Sequence, residues 1–146
     1  MRSRDKLVTI GLAAKDVGIL KIEYPVFQAF AHYLKQQGLG FYDYLFNGYA
    51  YPRSRQGSEA LEFPGSVELA EDLNRLVSHG LFEEKVGSTA YVVTDRAEAL
   101  RHRYIDKLES EGLLAFDDLH KMAGELLSRP EELLAQSYGL YIRGLA

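Results

Sequence analysis

The segment from Gly65 to Thr94 constrains the fold of this chain more than any other part of the sequence. Near its start lies Ser66, a hydroxyl residue of the kind that caps a helix. Leu69, Leu73 and Leu76 follow at spacings of four and three. Apolar side chains at these spacings lie along one side of a helix. The pattern therefore predicts an amphipathic helix with a buried leucine stripe.

A tight hairpin is predicted directly after this helix, which runs from Ser66 to His79. Gly80 ends the helix, and Gly87-Ser88 is a two-residue loop of the type that joins antiparallel strands. The predicted cross-strand pairs are Phe82 with Val93 and Glu84 with Tyr91. A capped helix followed by a hairpin predicts a winged helix-turn-helix fold, in which this helix is the third and the hairpin is the wing.

The remaining sequence predicts further helices around this unit. The predicted helices run from Asp5 to about Val17, from Pro25 to Gly38, from an Asp95 cap to Gly112, from Asp117 to Ser128 and from Pro130 to about Arg143. In the first helix we expect Lys6, Lys15 and Asp16 to stay in solvent. The aromatic residues from Phe41 to Phe46 are expected to pack on the core, and the polar stretch Arg53 to Glu59 to be exposed.

The predicted fold class is mainly α with a small β-hairpin wing. We expect a single winged-helix domain over residues 1–146, with core helices and wing in 1–94 and a C-terminal helical extension in 95–146. The net charge of -4 argues against binding through bulk positive charge, and the absence of cysteine excludes disulfides and thiolate ligands. No apolar run is long enough for a membrane span, so a cytoplasmic protein is expected.

Several motifs along the chain resemble one protein family. They are Asp5-Lys6-Leu7, the Phe27 to Leu34 helix, Ser66 to Leu73 leading through Gly80-Leu81, and the Tyr91 to Thr94 strand. Together they resemble the Panacea-type, antitoxin-like winged-helix proteins over roughly two thirds of the chain, mainly in apolar spacing. The resemblance implies a phage-associated or toxin-neutralising role without catalysis.

The chain departs from that family at one place. The family runs Tyr-Gly-Pro-aromatic-Ser straight into the third helix, whereas here the Arg53 to Glu59 excursion separates Asn47-Gly48-Tyr49 from Phe63-Pro64-Gly65-Ser66. The helix-to-wing segment is also similar to bacterial regulators of the multiple-antibiotic-resistance type.

The third helix and the wing supply a candidate nucleic-acid site. Asn74, Arg75 and Ser78 carry groups that can contact base edges, and Lys85 near the hairpin tip can contact phosphate. Arg101 and Arg103 on the fourth helix are further phosphate candidates. Glu68, Glu71 and Asp72 on the same third helix oppose such contacts, although acids also suit the first turn of a helix.

A second basic and aromatic cluster is a possible additional binding site. It consists of Tyr49, Tyr51, Arg53 and Arg55. The tyrosine rings can stack on bases, and the arginines close to them in sequence can contact phosphates. The alternative interpretation is that the tyrosines are packed against other residues and that the arginines keep the loop solvated.

No pattern for metal, cofactor or enzyme chemistry is found. Glu98 and His102, one helical turn apart, are the only residues spaced to share a metal, and a surface pair explains them more simply. The sequence therefore predicts a homodimeric winged-helix regulator, without enzyme activity or cofactor, that binds duplex DNA weakly. The alternative is an antitoxin-like protein-interaction module whose acidic third helix and Phe41 to Tyr51 segment face a protein partner.

Overall fold

The protein is mainly helical with a small three-stranded antiparallel sheet, in a computed structural model that describes residues 1–47, 65–85 and 89–145. Its elements are α1 (Ser3–Asp16), β1 (Ile22–Glu23), α2 (Tyr24–Gln36), α3 (Val67–Ser78), β2 (Phe82–Glu84), β3 (Ala90–Val93), α4 (Asp95–Ala99), α5 (Arg101–Glu111), α6 (Phe116–Met122), a π-helical turn (Ala123–Leu127) and α7 (Pro130–Leu145). None of the helices in these ranges combines the length and the apolar composition of a bilayer-crossing segment.

Helix α1 lies at the centre of the fold and packs against α3, β3, α5 and α6. Its side chains from Lys6 to Ala14 are all buried. At Gly11 the helix passes so close to the sheet that an added Cβ would lie 2.5 Å from Val93 Cγ1 and 2.7 Å from Phe82 Cε1. Glycine at this position therefore lets the first helix rest directly on the hairpin.

The predicted hairpin register is confirmed. Phe82 pairs with Val93 and Glu84 with Tyr91, whereas the Gly87-Ser88 loop lies outside the described residues. A third strand, β1, adds to the other side of β3 through an Ile22 to Tyr91 pair. Strand β1 is not predictable from the sequence, because two residues are too few to show an alternating pattern.

The predicted third helix is also confirmed, within one residue at each end. The Ser66 side chain caps α3 by accepting a hydrogen bond from the Leu69 amide, and the leucine stripe is fully buried. The Gln28 side chain on α2 pairs with both backbone groups of Ser66, donating to its carbonyl oxygen and accepting from its amide at 2.9 Å each. This paired contact fixes the start of α3 against the second helix.

The expectation that Lys6 stays in solvent is wrong, because only 1% of Lys6 is exposed. Its ammonium donates to the Glu111 carboxylate and to the Leu39 carbonyl oxygen, and lies 5.6 Å from the Phe41 ring centroid. A buried charge is tolerated when it is paired and hydrogen-bonded. Lys6 thus joins α1 to α5 and to the chain that follows α2.

The fourth helix differs from its prediction in two ways. Thr94, and not Asp95, is the N-cap, with a side chain that accepts a hydrogen bond from the Ala97 amide. The helix is also interrupted at Leu100, so that α4 and α5 replace one continuous helix. The next predicted helix begins at Phe116 and changes to a π-helical turn after Met122.

Helix α7 packs on α2 within the same chain. Leu133 and Ser137 are buried there, and the Ser137 hydroxyl lies 2.8 Å from His32 Nδ1. The Tyr141 ring packs edge-on against the same histidine. The apolar side of the C-terminal helix therefore covers the chain's own second helix, and homodimerisation stays a prediction.

Candidate functional site

The side of α3 opposite the leucine stripe faces solvent and is called its outer face. Glu71, Asn74, Arg75 and Ser78 are exposed there, as the sequence predicts. Val67, at the start of the helix, is also more than half exposed. This face can meet a macromolecule without any rearrangement of the core, because the leucines occupy the opposite side.

Arg75 is held by carboxylates of its own helix. Its guanidinium donates to Asp72 at 2.8 Å and lies 3.9 Å from a Glu71 oxygen. A cation that already has two acidic neighbours contributes little free positive charge to a phosphate contact. The α3 face carries three acids, Glu68, Glu71 and Asp72, against this one cation.

The hairpin has the same electrostatic character as α3. Glu83, Glu84 and Lys85 are all exposed, and the Lys85 ammonium lies 3.8 Å from a Glu83 oxygen. In the described part of the hairpin, therefore, two acids accompany one paired cation. The outer face of α3 together with these three hairpin residues is called the acidic face below.

Two acids of α3 also position the segment that follows α2. The Tyr44 hydroxyl donates to Asp72 at 2.6 Å, and the Leu45 amide donates to Glu68 at 2.8 Å. Burial, together with the Asp72 carboxylate, raises the pKa of Tyr44. The prediction that the rings of this segment pack on the core is confirmed for Phe41, Tyr44 and Phe46, which are buried, and is wrong for Tyr42, which is 61% exposed.

Arg101, one of the predicted phosphate contacts, takes part in an ion-pair network. Its guanidinium donates two hydrogen bonds to Asp16 and two to Glu98, between 2.6 and 3.0 Å. His120 and Lys15 add further contacts to these two carboxylates. Hydrogen bonding to Arg101 lowers the pKa of Asp16 and of Glu98. Arg101 thus joins α5 to α1 and is already saturated with acidic partners.

Arg103 lies in a different electrostatic setting from Arg101. Among the described residues, no carboxylate lies within ion-pair distance of Arg103, Arg96 or Arg4. All three arginines lie close enough to Tyr104 to act on its hydroxyl, whose pKa burial nevertheless raises. Arg96 also packs over Gly80, where α3 ends. We call Arg4, Arg96 and Arg103 the arginine group.

The other candidate residues are not brought together by the described structure. Tyr49, Tyr51, Arg53 and Arg55 lie outside the described residues. Glu98 binds Arg101, and His102 lies 4.0 Å from Asp106, so they do not form a pair. Within residues 1–47, 65–85 and 89–145 no group of three potential metal-binding side chains is found.

Sequence reasoning missed one polar group on α2. It consists of His32, Lys35 and Gln36, none of which the sequence singles out as a candidate. The signal was their spacing of three and four residues, which places them on one side of the helix, next to the buried stripe. In the structure they line a cavity beside Phe46 and α7.

Comparison with known proteins adds no relative: no family model matches the chain, and no curated protein or solved structure matches it either.

Proposed function

We propose that this chain is a winged-helix protein that binds a protein partner with a basic surface through its acidic face. The order of helices, the capped third helix and the antiparallel hairpin in register support the fold assignment. Binding by occupancy, without catalysis or cofactor, is part of the proposal.

One observation carries the choice of partner. Both cations of the acidic face, Arg75 and Lys85, lie next to carboxylates, and acids outnumber cations on the helix and on the hairpin. Insertion of this surface into a DNA groove would bring carboxylates towards phosphates at a range where repulsion is strong. A basic protein surface meets the same carboxylates with favourable electrostatics, which both attract the partner and orient it.

The test is site-specific photocrosslinking in the cells that encode the chain. Benzoylphenylalanine replaces Asn74 on the acidic face, and a matched protein carries it at the exposed Lys121 on α6. We expect a discrete protein adduct from position 74, with none from position 121. Adding Glu71→Lys should reduce that adduct at least about tenfold, because it reverses a charge at the centre of the face.

A second arm of the experiment separates protein from nucleic acid. A labelled mixed-sequence duplex is titrated with the wild-type protein by fluorescence anisotropy at low salt. We expect no binding at micromolar protein. A micromolar affinity that falls steeply with salt, or the absence of any adduct from position 74, would overturn the protein-binding proposal.

Duplex DNA binding is the second candidate function, and the arginine group favours it. These three guanidiniums come from α1, α4 and α5 and have no carboxylate partner in the described part of the chain. If DNA binds there, Arg96→Ala and Arg103→Ala weaken all sequences alike and each lowers the salt slope by about one. If α3 reads bases instead, Arg75→Ala relaxes the sequence preference.

A further inference from the structure

A cavity of about 200 Å³ lies between α2, α7 and the segment that follows α2. Leu45, Phe46, Leu140 and Tyr141 form its apolar walls. Among the described residues that line it, His32, Lys35 and Gln36 from α2 are polar, and Tyr141 from α7 carries a hydroxyl group. No acidic residue is among these lining residues, so the cavity presents donors and apolar surface.

Lys35 provides an incompletely used cation at this cavity. Its ammonium donates to the Tyr44 carbonyl oxygen at 2.6 Å and lies 5.8 Å from the Phe46 ring centroid. An ammonium has three donors, and the described residues occupy one of them. No carboxylate in the described part of the chain pairs with Lys35. The free donors of a cation beside apolar walls suit an anionic group.

His32 forms the buried end of the cavity and is held in place on both sides. Its Nδ1 contacts the Ser137 hydroxyl, and its Nε2 lies 3.4 Å from the Gln36 amide nitrogen. The ring also packs edge-on against Phe46. Burial, with the charge of Lys35, lowers the pKa of His32 to about 4, so the ring is neutral at ordinary pH. Among the described residues that line the cavity, Lys35 is therefore the one charged group.

We propose that this cavity binds a small monocarboxylate with a compact apolar body. The carboxylate accepts hydrogen bonds from Lys35 and Gln36, and the apolar body packs against Phe46, Leu140 and Tyr141. An apolar cavity of about 150 Å³ holds benzene, so the present volume of about 200 Å³ matches one six-membered ring with a carboxylate.

The test uses cyclohexanecarboxylate as the probe and isothermal calorimetry on the full chain. Two ligands of the same shape serve as controls, namely the neutral cyclohexanecarboxamide and the cationic cyclohexylmethylamine. We expect the carboxylate to bind at least about tenfold more tightly than the amide, because a charge-assisted hydrogen bond is about twice as strong as a neutral one. The amine should not bind, since the Lys35 ammonium repels its positive charge.

Two variants locate the site. Lys35→Met should weaken carboxylate binding at least about tenfold, with the exposed Lys121→Met as its matched control. Leu140→Trp should fill the cavity and abolish binding of the carboxylate without removing the cation. Equal affinities for the carboxylate and the amide, or unchanged binding in Leu140→Trp, would overturn the proposal even if Lys35→Met failed to fold.

NMR titration of the histidines gives an independent readout. A carboxylate beside Lys35 offsets the charge that helps to keep His32 neutral, so the pKa of His32 should rise from about 4 in the complex. The exposed His102, which does not line the cavity, supplies the control resonance. A bound carboxylate that leaves the His32 titration unmoved would place the ligand elsewhere on the protein.

Discussion

Helices α3 and α5 have nearly the same length and both pack against α1, yet different interactions hold them in place. Helix α3 buries the three leucines of its stripe, whereas Leu108 is the only buried side chain of α5. Ion pairs attach α5 to α1 instead. They are Arg101 with Asp16, Lys107 with Asp5 and Glu111 with Lys6.

This difference shows which charged side chains are available to a binding partner. On α5 most charged groups are used in folding, so a cation such as Arg101 is a poor indicator of a nucleic-acid contact. On α3 the apolar stripe is buried, and Glu68 and Asp72 hold Leu45 and Tyr44 through hydrogen bonds. Glu71, whose contact in the described residues is Arg75 at 3.9 Å, stays available on the outer face for recognition.

Glu111→Gln should destabilise the protein by about 3–5 kcal/mol, because it leaves the buried Lys6 ammonium without its carboxylate. Lys6→Met is the matched variant. It removes the buried charge and keeps the volume, so its cost should be small or even negative. Urea unfolding of both variants measures the difference. If Glu111→Gln leaves the free energy of unfolding unchanged, this pair does not hold α5.

Leu73→Ala should lower the free energy of unfolding by about 2–5 kcal/mol, because it opens a cavity under α3. The loss should be the same at low and high salt, since apolar packing is not screened. The exposed Asn74→Ala on the same helix is the control and should change stability by less than about 0.5 kcal/mol. A strong salt dependence of the Leu73→Ala effect would contradict the apolar docking of α3.

Arg101→Gln should cost about 1 kcal/mol at neutral pH, because its network with Asp16 and Glu98 is partly exposed. Arg101 lowers the pKa of both carboxylates, so its stabilisation is present above their ordinary pKa values and is lost as the pH falls through the lowered ones. Wild type and variant should therefore converge in acid. Arg103→Gln, whose side chain has no carboxylate partner in the described residues, should show no such pH dependence.

The parts of the fold that sequence predicted are those encoded over short distances. The leucine spacing and the Ser66 cap lie within one helix, and the hairpin register follows from a loop and its two flanking strands. The burial of the Phe41, Tyr44 and Phe46 rings followed from aromatic density alone. In each case one local pattern decides which side chains face the core.

The parts that sequence could not predict depend on pairs that are distant along the chain. Lys6 looks like a solvent-exposed charge in an amphipathic pattern, but it is buried with Glu111, which lies 105 positions further on. Asp16 is exposed as expected, whereas its partner Arg101 lies 85 positions further on and could not be foreseen. The acids beside Arg75 were visible in the sequence, whereas their hydrogen-bond geometry was not. The members of a candidate site built from cations are therefore harder to predict than those of a core, because each cation can pair with any of several acids.

Glu71→Gln should have the smallest effect on folding, less than about 0.5 kcal/mol, because Glu71 is exposed and lies 3.9 Å from Arg75. Asp72→Asn is the contrasting variant on the same face. It should cost about 1 kcal/mol or more, since Asp72 also accepts the Tyr44 hydroxyl hydrogen bond. Urea unfolding separates the two, and crosslinking from position 74 then measures what the exposed charge contributes to binding. If Glu71→Gln retains full stability but weakens the protein adduct, the Glu71 charge acts in recognition. If it leaves the adduct unchanged, the acidic face is ordinary solvated surface. The distinction between α3 and α5 then concerns folding alone.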